Sequence, residues 1–507
     1  MSDLAISAAA RLWRWPRKWV GTGLFIVVVF FVAAGGPAAI GLSIGLLVLG
    51  ALVVVAARVP QFAVLGLVIW VPLQQPILAY LYKLGMPLLV VRDLGYLKEF
   101  WTISLVVAAW RATRSQQIKA DLLDWAAVLY VGIATLFLVL PFADSSALGG
   151  VSFGGRLHAW RLDCLYVVIL LTARRLTFAP VVLRRLWLGL CVVGIVLGGF
   201  SVWEITDGHG FTNFLANTLE YSKYKADVFG VTTSRDLLTH GSIGDSTFVR
   251  AGSLFNDPLS FGFFMVIPFA VALERVAAKK GAALGTAVAV AGVVGVIFSG
   301  TRGAAIAGGV GVLLALVFGP SRIAPNRLRL VVAVLLGAVV LLPFAGQSTL
   351  VDRLVSLTKP ASETHSNQVH VDRARAGWTA LLDRPLGRGL GANSQTGARY
   401  DTTTAITTED AYLQTGAEFG VPGLLAFVGF LGVALVSLRR RAMRLVEHSG
   451  LAGGVWLAGC GLTLGALTLQ VWTQLTVTLV FWTLAGVALS RVDGLERQDT
   501  RGHAHSA

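Results

Sequence analysis

Four residues have the type and placement to do chemistry. Arg250 stands directly before an apolar run, and Arg302 sits in FSGTRGA, residues 298 to 304, where two apolar runs nearly touch. Neither has an acid beside it in sequence, and a lone guanidinium at the edge of hydrocarbon is costly enough to imply a purpose. A planar, permanently charged fork is what a phosphate or pyrophosphate needs, and a membrane surface is where a lipid-linked phosphate sits. Gly300 and Gly303 beside Arg302 read as room for such a headgroup to approach the backbone. Glu409 and Asp410 end a long polar stretch just where the chain returns to an apolar run. A carboxylate partly withdrawn from water can act as a general base toward a hydroxyl. The competing role is structural, because acids at a helix N-terminus favour the dipole, and Thr407 or Thr408 could cap the same helix. His365 and His370 are fallback bases.

A second tier of candidates for substrate binding comprises Arg156, Arg375, Arg384, Arg388 and Tyr412, with Arg161, Arg373 and Arg399 nearby in sequence. For these arginines the alternative is contact with lipid headgroups or pairing with acids such as Asp352 and Asp372. No clustered metal-ligand or paired acidic metal motif occurs, so neither a cofactor nor a metal is expected. Cys164, Cys191 and Cys460 all fall inside apolar runs, which argues against a disulfide framework or a zinc site.

The elements that must position these residues are membrane helices. The chain has 507 residues, of which 55% are hydrophobic and 14% charged, and its mean hydropathy is +0.72. Those values lie outside the range of soluble domains. The apolar runs are continuous rather than alternating, which excludes a β-barrel. The net charge of +15 is dispersed between apolar runs rather than gathered on one aromatic-laced patch, which argues against nucleic acid. The predicted fold is therefore all-α, a polytopic bundle of about 14 transmembrane helices, with 12 possible. Spans are expected near 20–35, 37–57, 61–80, 95–111, 122–141, 159–173, 181–203, 256–276, 283–299, 302–319, 329–345, 411–438, 451–468 and 471–490. RLWRWPRKWV before the first has the basic flank of a signal peptide, but the run after it is long and lacks a cleavage site, so a retained anchor is expected.

Basic residues then orient the bundle. Arg111, Arg114 and Lys119, Arg174, Arg175, Arg184 and Arg185, Arg275, Lys279 and Lys280, Arg322, Arg327 and Arg329, and Arg439, Arg440, Arg441 and Arg444 all fall on one side, the expected cytoplasmic side. Both termini share it. The long connections 204–250 and 346–410 fall on the other, extracytoplasmic side. The expected organisation is 1–203 N-terminal helices, 204–250 first outer loop, 251–345 central helices, 346–410 large outer loop, 411–490 C-terminal helices and 491–507 cytoplasmic tail. In the large loop, Val371, Ala374, Trp378, Leu381 and Leu382 recur at helical spacing and Pro385 limits the run, which predicts an amphipathic helix over the membrane face. PLGRGLGANS follows, glycine-rich but without the Lys-Ser or Lys-Thr of a phosphate-binding loop. The first loop, around NTLEYSKYKADVFG, shows no clear period.

Taken in order, these stretches resemble the superfamily of O-antigen ligases and Wzy polymerases. RAGSLFNDPLSFG (250–262) and FSGTRGA (298–304) are similar to its arginine-bearing turns. RAGWTALLDRPLGRGLG (375–391) is similar to its amphipathic helix and glycine turn, and EDAYLQTGAEFGVPGLL (409–425) to its closing segment. The resemblance implies an inner-membrane enzyme of the bacterial cell envelope. Such an enzyme polymerises or transfers undecaprenyl-diphosphate-linked oligosaccharide, as O-antigen or exopolysaccharide repeat units, on the extracytoplasmic face. It also implies a glycan acceptor, no metal, inversion at the anomeric carbon, other polysaccharide assembly or export proteins as possible partners, and Arg250 and Arg302 as the holders of pyrophosphate. Ligases of the family typically have His-Asn where this chain has Glu409 and Asp410, a departure that leans toward a polymerase. The alternatives are the ligase branch and a lipid-linked oligosaccharide flippase. A carrier should place ionisable residues at mid-membrane depth, and these spans are almost free of charge at their centres.

Overall fold

A computed structural model describes residues 58–116, 119–139, 151–230, 240–243, 246–277, 281–318, 365–392, 408–444 and 450–492. The spans expected at 20–35, 37–57 and 329–345 lie outside these residues, as does Arg399. The described elements are overwhelmingly helical, with a two-residue parallel pairing of β1 (Thr177–Phe178) with β4 (Arg491–Val492) and a hairpin of β2 (His240–Ile243) and β3 (Ser246–Val249). The helices are α1 (Pro60–Lys83), α2 (Leu88–Leu94), α3 (Leu97–Gln116), α4 (Leu122–Val139), α5 (Phe153–Ala173), α6 (Pro180–Thr206), α7 (Gly208–Asn213) and α8 (Tyr221–Phe229). They continue with α9 (Pro258–Ala277), α10 (Ala282–Phe298), α11 (Arg302–Phe318), α12 (His365–Asp383), α13 (Ala411–Arg444), α14 (Gly450–Gly465) and α15 (Leu475–Leu489). By length and composition α1, α4, α6, α9 and α13 can each cross a membrane, and α10, α11, α14 and α15 are shorter apolar helices. The chain is an all-α polytopic membrane protein.

Helix α9 is the axis of the bundle. It packs against α10, α11 and α14, and nearly all of its residues are buried. Close contact is possible because small residues face it. A Cβ on Gly292 would meet Phe269 at 2.6 Å, and one on Gly454 would meet the Val271 backbone at 2.5 Å. With no water-driven force between helices inside a bilayer, such tight van der Waals contact is what holds helices together. Basic side chains cluster at the ends of these helices away from the N-terminus of α9. Arg174 pairs with Asp121 and lies 3.3 Å from Asp124, Arg275 lies over the Trp187 ring, and Arg441 donates to the Ser490 carbonyl at 2.8 Å.

Three local expectations are corrected. The first loop, which showed no period, contains α7, a π turn (Phe214–Thr218) and α8. Phe211, Leu215, Leu219, Tyr221 and Tyr224 bury against Leu78, Ala79 and Val91 in a small core of their own, so the signal was one of side-chain packing across short elements rather than a long period. The final run, expected as a span over 471–490, opens with a 3-10 turn (Val471–Thr473) before α15 starts at Leu475. The apolar face of α12 is divided: Gly377, Ala380 and Leu381 are buried, whereas Val371, Trp378 and Leu382 are exposed. The buried side docks on α13, where Leu381 lies 3.3 Å from the position a Cβ on Gly416 would take.

The glycine turn after α12 is a clasp on α13. Val421 donates its N–H to the Pro385 carbonyl at 2.8 Å, and Arg388 and Gly389 donate theirs to the Ala417 and Glu418 carbonyls, both at 2.9 Å. These bonds satisfy backbone groups freed where α13 kinks at Gly420 (φ 69°, ψ −169°). Gly387 has φ 90°, and a Cβ there would lie 2.5 Å from the Glu418 carbonyl oxygen, so both positions require glycine.

Candidate functional site

The site lies where the N-termini of α9, α11 and α13 meet. Two of them begin with a carboxylate cap. Asp257 accepts from the N–H groups of Leu259 (3.1 Å) and Ser260 (3.3 Å) ahead of α9. Asp410 accepts from those of Tyr412 (2.7 Å) and Leu413 (3.0 Å) ahead of α13. Both use the carboxylate acceptor that a helix start requires. Asp410 thus occupies the structural role that competed with catalysis, and the Thr408 carbonyl accepts from the Gln470 side chain. Burial pushes the Asp410 carboxyl above its ordinary range, against the pull of the two backbone N–H groups.

The two arginine motifs are joined. The Arg250 guanidinium donates to the Ser299 carbonyl and to Thr301 Oγ1, each at 3.1 Å, and Thr301 Oγ1 donates in turn to the Pro258 carbonyl at 3.0 Å. Ala251 N–H closes onto the Phe298 carbonyl at 2.8 Å. Arg250 therefore braces the turn that carries Arg302, the first residue of α11. Burial draws its guanidinium below the ordinary range. The Asp257 charge opposes that pull and the Arg302 charge reinforces it, which places all three within electrostatic reach. Gly303 is not open to a headgroup: a Cβ there would meet Thr468 Oγ1 at 2.3 Å and Phe263 at 2.8 Å. Its small size serves the packing of α11 on α9 and the end of α14.

Behind this turn is a buried carboxylate that the sequence reading placed at the edge of a loop. Glu204, at the end of α6, is 1% exposed and accepts the Ser253 N–H at 2.7 Å, while Ser253 Oγ donates to the Leu197 carbonyl at 2.8 Å. Ser253 has φ 49° and Asn256 φ 51°, a strained path for side-chain-bearing residues that Glu204 holds in place.

Helix α12 supplies the remaining groups. Arg373 forms an ion pair with Glu409 through Oε1, and His370 Nδ1 faces Glu409 Oε2. Burial, then the Arg302 charge, then the Arg373 charge hold the His370 imidazole below its usual value. Arg302, His370, Arg373 and Glu409 are thus assembled from three separate segments. Beside Glu409 opens a cleft of about 100 Å³, walled by Leu259 and Phe263 of α9, by Arg373 and Thr408, and by the segment from Leu469 to Gln474.

The weaker candidates are not drawn into this cleft. Arg156 reaches the Leu138 carbonyl at 3.4 Å, at the end of α4. Arg375 is exposed and lies 3.8 Å from Asp372. Arg388 lies 3.9 Å from Asp383, and Arg384 closes α12 through its backbone N–H. Tyr412 donates its hydroxyl to the Thr463 carbonyl at 2.6 Å, and Ala411 N–H bonds to the Ala466 carbonyl at 3.0 Å, which together fasten α13 to α14. Among the described residues no group of three or more His, Cys, Asp or Glu side chains could hold a metal ion.

Residues 287–428, which include Arg302, His370, Arg373, Glu409 and Asp410, match the family model described as O-antigen ligase. Over this stretch the chain is similar to the O-antigen ligase family. No curated protein matches it. The O-antigen ligase match begins within α10 and ends within α13 just past the Gly420 kink, so it takes in the arginine turn, α12 and the clasp. Arg250, which braces that turn, and Glu204, which holds Ser253, lie before it.

Proposed function

We propose that the protein transfers glycan from a lipid diphosphate to a sugar hydroxyl at the extracytoplasmic face of a bacterial inner membrane, without a metal, as a polymerase of repeat units. The observation that carries the reading is the convergence of Arg302, His370, Arg373 and Glu409 from distant segments, with Arg373 and Glu409 also lining the cleft. The acceptor hydroxyl attacks the anomeric carbon, the bond from that carbon to the phosphate oxygen breaks, and the lipid diphosphate departs as an anion with inversion. Arg302 stabilises the charge that grows on the leaving diphosphate, and Arg250 positions Arg302. The Glu409–His370 pair takes the hydroxyl proton. With Nδ1–H donating to Glu409, the lone pair is on Nε2, and a depressed imidazole pKa keeps it available. Asp410 keeps α13 and therefore Glu409 in place.

The apolar wall of Leu259, Phe263, Leu469 and Val471 next to these charged groups suits a donor that is lipid at one end and diphosphate at the other. Purified protein incubated with lipid-diphosphate-linked repeat units, with and without a separate acceptor, tests the reading. Chain growth on the donor alone is the expected result, and product formed only when the separate acceptor is present would place the protein in the ligase branch. An Arg302→Ala variant that inserts normally and still makes full-length polymer would sink the assignment.

A further inference from the structure

A polymerase of lipid-linked repeat units handles two lipid diphosphates, because the unit that accepts the chain carries its own. Arg302 serves the one that leaves, and a second cationic place lies among α1, α3 and α5. There Lys98 and Arg161 face the carboxylate of Glu99 at 3.6 Å and 3.3 Å, with the three side chains only 12%, 27% and 19% exposed. The pairing is loose. Both distances exceed the about 2.7–2.9 Å of a charge-assisted hydrogen bond, and neither Glu99 oxygen nor Arg161 Nε has a hydrogen-bond partner among the described residues. Lys98 gives one proton to the Gly95 carbonyl at 2.5 Å, which also accepts from Gln74 at 3.1 Å. An ammonium has three N–H donors and a guanidinium five, so the cluster keeps one net positive charge and a surplus of buried donors. A phosphate, with its several acceptor oxygens, satisfies such a surplus, which is costly to leave in an apolar interior.

The position suits a lipid substrate. Arg161 lies roughly 20 Å of helix from Arg174, the C-cap at the far end of α5, and so toward the end of the bundle that holds the site. Helix α5 packs against the Val471–Thr473 turn, of which Val471 walls the cleft, and α1 packs against the 3-10 turn (Ser253–Phe255) that follows Arg250. Helix α2, which leads into Gly95, exposes Leu88, Leu89 and Val90, an apolar edge along which a lipid tail can lie. Resting on the glycan-transfer reading above, we propose that Lys98 and Arg161 hold the diphosphate of the acceptor repeat unit, with Glu99 holding the two cations together. They are substrate-binding residues, separate from the groups that handle the proton and the leaving diphosphate.

The test uses the full chain in nanodiscs of phosphatidylcholine, with farnesyl diphosphate as the probe and native mass spectrometry to count the molecules bound. Two should bind. Substituting Lys98→Gln, Glu99→Gln and Arg161→Gln together, which leaves no charge unpaired, should keep one site and weaken the other roughly 10- to 150-fold, the range for losing a hydrogen bond to a charged group. Arg302→Gln should weaken the site that this neutral variant keeps. Glu99→Gln alone removes the competing acid and should tighten the Lys98 site, a gain that a structural ion pair does not produce; if that protein fails to fold, the neutral variant decides. One bound probe in the parent, two in the neutral variant at unchanged affinity, or a folded Glu99→Gln protein that binds no tighter would each overturn the inference. Displacement of the second probe by phosphatidylglycerol added to the disc would do the same, by making the place an ordinary headgroup site. Two sites that both survive Arg302→Gln would instead refute the transfer reading and leave a lipid-diphosphate site at Lys98 and Arg161 standing.

Discussion

Arg250 and Arg302 should behave as one unit rather than as two independent ligands, and a double-mutant cycle can show it. Arg250 commits two donors to the turn before α11, at 3.1 Å to the Ser299 carbonyl and 3.1 Å to Thr301 Oγ1. A hydrogen bond involving a charged group is worth about 1.5–3 kcal/mol, so loss of one such contact to the leaving diphosphate lowers kcat/KM roughly 10- to 150-fold. Arg302→Gln should lose at least that. Arg250→Gln frees the turn and misplaces Arg302, and should fall in the same range. Because misplacing a guanidinium that is already absent costs nothing further, the double variant should be no worse than Arg302→Gln alone. Independent ligands would multiply their losses to about 10²–10⁴-fold. Arg250→Lys should resemble Arg250→Gln more than the wild type, since a single ammonium does not reproduce a fork braced on two acceptors. The assay is initial-rate donor consumption by purified variants whose melting temperatures match the parent. Multiplicative losses would refute the bracing role and make Arg250 a direct diphosphate ligand.

Two further outcomes follow from the same geometry. In ¹⁵N-histidine-labelled protein His370 should titrate below the ordinary imidazole value, because burial and the Arg302 and Arg373 charges disfavour its protonated form. Arg302→Gln removes one of those charges and should move the midpoint upward, so a His370 that titrates at or above the ordinary value would contradict its placement. Asp410→Ala should lower stability by about 0.5–2 kcal/mol through loss of the α13 cap, with Asp410→Asn restoring most of it and both retaining measurable transfer. Abolished transfer at unchanged melting temperature would make Asp410 catalytic after all.

Much of the site was legible because hydrocarbon makes polar residues conspicuous. Arg302 and Glu409 stand out as charges at the ends of apolar runs, and the helical spacing from Val371 to Leu382 announced α12. Glu204 and the amides Gln470 and Gln474 gave weaker signals, one at a presumed loop edge and two within a run expected as a continuous helix. Their importance depends on which backbone and side chains lie opposite them.

The sequence by itself determined the solvent of this protein, roughly where its long apolar helices run, and which residues were too polar to be idle there. Continuous apolar length and charge position are local properties, and the cost of leaving a charge in hydrocarbon acts wherever its partners are. The tertiary structure decided roles. It gave Arg250 hydrogen bonds to the Arg302 turn, set Asp410 against the first N–H groups of α13, filled the space beside Gly303 with Thr468 and Phe263, and brought His370 and Arg373 to Glu409. Hydrogen bonds and ion pairs act over a few ångströms between residues that can be far apart along the chain, as Arg250 and Thr301 are, so only the packing of the helices assigns each charge its partner.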